Sequence, residues 1–310
     1  MERHSQYRAW VALVAVCLFW GTTYLGIRMS LECFPPATLL SIRYTLSGAI
    51  LLIAAQVVRA RIPSGRELIF TALFGVITLT IGNGALIVAE EWVPSGMASV
   101  FITTSPFWMT GVEAALPRGE RLHAPAIMGM LVGLVGTVVL VSRDAFGLGA
   151  GRGLLSGFLL LQLGCCGWAI GSILQRRYAT TAHPVVSGAI QQLATGVFGG
   201  LIAVLFERHP LHLTTRGVLG LAWLVVFGSI VGYSAFIYVM DKLPVSVVSI
   251  YNYVNPVVAV MLGWLFYREA FGGRELLGMV IIFAGVAIVK RFSSTARTKP
   301  LAVARVTASE

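Results

Sequence analysis

Apolar residues run along this chain in blocks of about twenty, broken by short polar stretches. The blocks fall at residues 10–30, 37–58, 67–89, 94–116, 123–142, 154–175, 184–206, 216–240, 244–267 and 272–290. A hydrocarbon core takes roughly 20 apolar residues per helical crossing. The pattern therefore predicts an all-α integral membrane protein with ten transmembrane helices. Loops are short, and no stretch is left for a soluble domain. A glycine-rich segment from Arg143 to Gly153 divides the chain into halves at 10–142 and 154–290. Residues 292–310 are Ser, Thr, Ala, Arg and Lys with little apolar character and are expected to form a disordered cytoplasmic tail.

The halves repeat one another. The first reads Val93-Pro94-Ser95-Gly96-Met97-Ala98-Ser99-Val100, then Ser105-Pro106, then Gly129 and Gly136. The second reads Leu243-Pro244-Val245-Ser246-Val247-Val248-Ser249-Ile250, then Asn255-Pro256, then Gly278 and Gly285. Trp20 matches Trp168, and Phe74-Gly75 matches Phe227-Gly228. Five crossings per half is an odd number, so the two copies insert in opposite orientations, with a substrate site expected between them. Gly129/Gly133, Gly167/Gly171, Gly196/Gly200 and Gly228/Gly232 are spaced for close helix contact. Contact within the chain is the expected use; a homodimer face on the fifth or tenth helix is the alternative.

Composition agrees with lipid as the solvent. Of the 310 residues 57% are hydrophobic and 12% charged, against about 25% charged in soluble domains; the mean hydropathy is +0.83. The net charge of +10 raises the question of nucleic acid. Its placement answers it. With the N-terminus inside, most of the 23 Lys and Arg fall on inner segments, among them Arg3, Arg8, Arg59, Arg61, Arg66, Arg118, Arg121, Arg176, Arg177 and Lys242. That bias predicts a multi-pass protein of the cytoplasmic membrane with both termini cytoplasmic, and the bilayer rather than nucleic acid as partner. The first apolar block lacks a small-x-small cleavage site and reads as a retained helix.

Catalytic signatures are missing. Cys17, Cys33, Cys165 and Cys166 form no CxxC or disulfide framework, and His4, His123, His183, His209 and His212 lie in loops or tails. There is no Walker A, HExxH or GxSxG motif. No cofactor, metal or enzymatic step is expected.

Polar residues inside the apolar blocks are the candidate site. Ser99, Thr103, Pro106, Thr110 and Glu113 share one face of the fourth helix. Such a stripe faces either a neighbouring helix or a wet cavity. Tyr251, Asn252, Tyr253 and Asn255 precede Pro256 in the ninth. Asn83 sits between two glycines, and Trp20, Tyr24, Trp108, Trp168 and Tyr233 can form an aromatic cage. Pro106 and Pro256 occupy matching places and tend to kink or hinge their helices. Arg43 is the one cation within a span; pairing with Glu90 or Glu91 would make it part of an outer gate, with a static pair as the alternative. Glu113 is expected to pair with Arg59 or another nearby basic residue. With no second cation in the spans, neutral, zwitterionic or aromatic solutes fit best.

Phe19-Trp20-Gly21-Thr22-Thr23-Tyr24, Ile42-Arg43-Tyr44 and Gly119-Glu120-Arg121 resemble the EamA branch of the drug/metabolite transporter superfamily. Gly82-Asn83-Gly84, Ala89-Glu90-Glu91, Val93-Pro94-Ser95-Gly96 and the run Tyr253 to Val260 resemble its YedA-like inner-membrane transporters. Pro117-Arg118-Gly119-Glu120 and Glu113 depart from the family pattern. The resemblance covers 10 to 290. It implies two inverted five-helix repeats around a cavity lined by helices one, three, four, six, eight and nine. It also implies a secondary transporter exporting small metabolites by alternating access. An uptake carrier or a uniporter or channel for a small neutral solute is the alternative, with a membrane enzyme less favoured.

Overall fold

The computed structural model describes residues 2–57, 59–117, 124–145, 153–178, 182–208, 211–243, 248, 251–269 and 271–293. Among them every regular element is helical. In chain order these are α1 (Glu2–Ser30), α2 (Pro36–Val57) and α3 (Gly65–Ala89), then α4 in two pieces, Ser95–Ile102 and Ser105–Ala115. The second half has α5 before it (Ala124–Ala145), then α6 (Gly153–Arg177), α7 (Pro184–Phe206), α8 (Thr215–Trp223 continuing through Lys242), α9 (Tyr251–Tyr267) and α10 (Gly273–Ser293). Six of them, α1, α2, α3, α6, α7 and α8, are long and apolar enough to cross a membrane. Shorter apolar stretches lie at Ile127–Gly136 in α5 and Val254–Tyr267 in α9. The start of the expected ninth span, residues 146–152 of the glycine-rich linker and most of the tail lie outside the described residues, while Arg143 to Ala145 continue α5 and Gly153 begins α6.

Lipid offers no hydrogen bonds, so a spanning backbone must satisfy its own amides, and helices do so. The outer surface of the bundle fits that solvent. Val204 is 80% exposed, Val197 71% and Leu201 54%, all from one side of α7. In water such a surface would be an aggregation site.

Equivalent helices of the two halves lie against each other and run antiparallel. Along α2 and α7, Gly48 faces Ala189 and Leu193, Thr45 faces Gly196, and Ser41 faces Gly200, so numbers rise on one helix as they fall on the other. The Ser41 hydroxyl donates to the Gly196 carbonyl at 2.8 Å across this seam. α5 and α10 repeat the arrangement: Gly136 faces Gly278 and Ile282, while Gly285 faces Gly129 and Gly133. Antiparallel contact between equivalent helices is what an inverted duplication produces. Other contacts also come in matched pairs, α1 with α8 and α9 against α6 with α3 and α4.

Two further devices are duplicated or shared. α3 and α8 each widen into π-helix, at Val76–Asn83 and Leu224–Tyr233, directly after the matched glycines Gly75 or including Gly228. π-segments are rare and gather at functional sites. Carboxylates from the second half cap helices of the first. Glu207 accepts from the amides of Ala37 (2.6 Å) and Thr38 (2.8 Å) at the start of α2. Glu269 accepts from those of Ser95 and Gly96, both 2.9 Å, at the start of α4. Each satisfies orphan first-turn donors and meets the positive end of a helix dipole.

The matched prolines behave differently. α4 breaks at Thr103-Thr104, and Pro106 sits in the first turn of the next piece, where no helical bond is lost. Pro256 lies inside an unbroken α9.

The seam gives two expected outcomes. Gly196→Leu would drive a side chain into Thr45, whose amide lies 2.7 Å from the position of a Cβ. Overpacking of this kind costs about 1–3 kcal/mol, so the thermal midpoint of the purified protein should fall by several degrees; an unchanged midpoint would contradict the close contact. Glu207→Ala should cost about 0.5–2 kcal/mol through loss of a helix cap, measurable in the same assay, while Glu207→Asp should recover part of it.

Candidate substrate cavity between the halves

A cavity of about 80 Å³ lies where α1, α2, α3, α4, α6, α8 and α9 converge. The π-segment of α3 contributes Asn83 to it, that of α8 Ser229 and Tyr233, and the start of α9 Tyr251, Asn252 and Asn255. Of the residues singled out by sequence, Trp20, Tyr24, Asn83, Trp168 and Tyr233 line it, together with Tyr251, Asn252 and Asn255 of α9. Arg43 lines it as well.

The aromatic residues form one cluster. Trp20 meets Trp168 edge-on at 5.6 Å between ring centroids and Tyr251 edge-on at 5.3 Å. These two tryptophans match in the repeat, and here their rings meet. Phe236 of α8 completes the cluster, 4.9 Å from Trp20 and 5.9 Å from Tyr251. The Trp20 indole donates to the Gly228 carbonyl at 3.1 Å within the π-segment of α8. Such an arrangement presents flat apolar faces and polar rims to a ligand. Turned so that its nitrogen faces the carbonyls of Cys17 and Tyr251, the Asn255 amide would donate to both, at 2.9 and 3.1 Å.

Other predicted residues lie elsewhere. Ser99 and Thr103 are buried and donate back to the carbonyls of Gly96 and Val100 in their own helix. Trp108 donates to Gln162 of α6 at 2.8 Å, which ties α4 to α6 instead of opening onto the cavity. Tyr253 belongs to α9, but its side chain lies outside the described residues. Glu113 pairs with Arg177 at 2.8 Å, a partner on α6 rather than Arg59.

Arg43 is not bonded to Glu90. It is 3% exposed, and its Nε donates to the Ser229 hydroxyl of α8 at 2.8 Å. Its guanidinium lies over the Tyr44 ring, 4.9 Å from the centroid. Ser229 is held in turn: its carbonyl accepts from Gln192 of α7, which also accepts from the Ser47 hydroxyl. Gly228 makes room for this, since a Cβ there would fall 2.9 Å from Arg43 Nη2. Glu90 is fully buried at the end of α3, with neither carboxylate oxygen hydrogen-bonded; Glu269, Arg28 and Arg43 are the charges it senses. Glu91 beside it is exposed.

At the end of the bundle where α1 finishes, charged groups join α1, α3, α8 and α9. Arg28 donates to the Glu90 carbonyl at 2.7 Å. The Tyr267 hydroxyl donates to Glu32, which also pairs with Arg216 at 3.6 Å. Arg28 and Arg216 lie over the Tyr267 ring at 5.7 and 4.4 Å. Sequence reasoning missed Arg28, Tyr267, Glu269, Tyr44 and Ser229. The repeat offered one signal, since Glu269 follows the ninth span as Glu120 follows the fourth.

Size sets what the cavity can do. Each water needs roughly 10–15 Å³ of such volume, and sites for drug-sized ligands run to about 300–1,000 Å³. The present space takes a few waters, so any larger solute requires the halves to part. No group of His, Cys, Asp or Glu that could hold a metal occurs among the described residues.

Comparison with known proteins places the chain. The model of the EamA-like transporter family matches twice, over residues 8–142 and 155–291. The uncharacterized inner membrane transporter YedA of Escherichia coli K12 is 34% identical over 281 residues, 89% of each chain. The uncharacterized transporter YdfC of Bacillus subtilis strain 168 is 25% identical over 272 residues, 86% of each. A crystal structure at 23% identity superimposes with a TM-score of 0.68 over 94% of this chain and 99% of its own, and at that identity it speaks for the fold alone. With both halves matched by the family model and a relative at 34% identity along most of its length, the chain belongs to the EamA-like transporter family.

Proposed function

We propose that this protein is a secondary transporter of the cytoplasmic membrane that exports small neutral or zwitterionic metabolites, amino-acid-like or aromatic, by alternating access. In this reading ten helices cross the bilayer as two inverted five-helix halves, with both termini cytoplasmic. The observation that carries it is the cavity itself, which is shared by both halves and bounded by equivalent tryptophans.

A carrier needs a site that closes to one side at a time. With the N-terminus inside, the Arg28, Glu90, Glu269 and Tyr267 contacts lie at the outer face and hold it shut. Separating them while the inner ends of α4 and α6 stay joined through Arg177 and Glu113 would open the cavity outward. Each contact is a hydrogen bond or ion pair at a helix end, and those of Glu32 with Tyr267 and Arg216 are exposed enough to exchange for solvent at little cost. The seams of α2 with α7 and α5 with α10 are dry and close-packed, and they act as the fixed frame.

Counterflow in liposomes tests the reading. Protein preloaded with unlabelled aromatic amino acid should take up labelled solute transiently and saturably; flux that rises without saturation would make it a pore. Trp20→Ala should lower the exchange rate about tenfold or more, as loss of a central aromatic contact does at other binding sites, with normal membrane expression. Normal exchange in that variant would move the site away from the aromatic cluster.

A further inference from the structure

We propose that Arg43 anchors the ligand through a carboxylate, so that the cavity selects small amphipathic monocarboxylates, with or without an amino group, over amines and neutral amides. The inference rests on the transport reading above; it keeps the zwitterions, sets aside the neutral solutes and adds monocarboxylates that lack an amino group. Sequence suggested Arg43 as half of a gate pair. The structure instead turns it into the cavity, and its hydrogen-bonding capacity is only partly used. Nε is bound to Ser229. Nη2 lies against Gly228. Nη1 is buried and has no hydrogen-bond partner.

An unpaired buried guanidinium is among the more costly things a membrane protein can hold. Arginine does not shed its proton to escape that cost. No carboxylate among the described residues hydrogen-bonds it; Glu90 senses its charge, but both Glu90 oxygens are themselves without hydrogen-bond partners. Its Nη1 donor thus stays unpaired within the protein, and the guanidinium matches a carboxylate better than any other common anion of single charge. One cation suits one negative charge.

Two features fix the geometry. The Ser229 bond and the Tyr44 ring hold the guanidinium plane, so little side-chain freedom is lost on binding. The faces of Trp20, Trp168 and Tyr251 line the same cavity and would take the apolar part of the ligand. The duplication argues that the charge is not needed for packing. The repeat equivalent of Arg43 is Gln191, neutral, whose side-chain oxygen accepts from the Tyr233 hydroxyl. Gly75 makes room beside Gln191 as Gly228 does beside Arg43. The Gln191 amide nitrogen is buried without a hydrogen-bond partner, as Arg43 Nη1 is, so the two copies differ in holding a neutral amide against a cation.

The test uses the purified full-length protein and four probes that share one ring: 3-phenylpropionate, L-phenylalanine, 2-phenylethylamine and 3-phenylpropionamide. Calorimetric titration should show 3-phenylpropionate or phenylalanine binding at least tenfold tighter than the amine and the amide. Arg43→Gln should abolish that preference, and Arg43→Lys should keep part of it. Equal binding of acid and amide by the native protein, binding of neither acid, or a preference that survives Arg43→Gln would each overturn the proposal. Should Arg43→Gln not fold, the native comparison of acid with amide still decides. Counterflow with the same probes separates the two readings. Saturable exchange of the amide without acid preference would keep the carrier and remove the anchor. Acid-selective binding without exchange of any probe would keep the anchor and remove the carrier.

Discussion

Close antiparallel contact between equivalent helices governs this structure. Hydrophobic burial does not drive helices together in lipid, because the tails are as apolar as the side chains; contact must be earned by packing and by hydrogen bonds across the seam. Glycines along α2, α5, α7 and α10 permit that approach, and they recur because the unit is duplicated. Once α2 lies against α7 and α5 against α10, the remaining helices of the two halves must face one another. The space left between them is the cavity.

The cavity collects groups that would be costly elsewhere. Aromatic residues, asparagines and an arginine gather around it, and the π-segments of α3 and α8 contribute Asn83, Ser229 and Tyr233. Gly228 carries several of these demands at once. It faces Arg43 and Thr23, and its carbonyl receives the Trp20 indole. A single position thus couples helix packing to the chemistry of the site, and this explains why packing and binding cannot be varied independently there.

Much of this was legible in the residues. The apolar blocks located the helices, and the repeated Pro-Ser-Gly and Asn-Pro runs exposed the duplication. Inversion was expected from an odd number of crossings per half, and antiparallel seams of α2 with α7 and α5 with α10 are what inverted halves would produce. The polar residues of the first part of α9 and the paired tryptophans pointed to the cavity. Arg43 was legible as unusual but not as a cavity residue, because its partner Ser229 lies 186 residues away and nothing in the local sequence marks it. Trp108, Ser99 and Thr103 carried the same signal as true lining residues, yet they bond to Gln162 or to their own helix. Polarity within a span says that a partner exists, and only three-dimensional packing says whether that partner is protein or ligand. The charged contacts around Glu90 and Tyr267 join ends of helices far apart in the chain, so periodicity could not have found them.

The central claim is that one cavity, shared by the halves, opens to each side in turn. Cys165 lines it and lies at its α6 wall. In a variant with Cys17, Cys33 and Cys166 replaced by serine, a membrane-impermeant maleimide applied from either face of oriented vesicles measures this directly. The account predicts that Cys165 reacts from both faces and is protected by transported solute. Reaction from one face only, in protein that still exchanges solute, would contradict it.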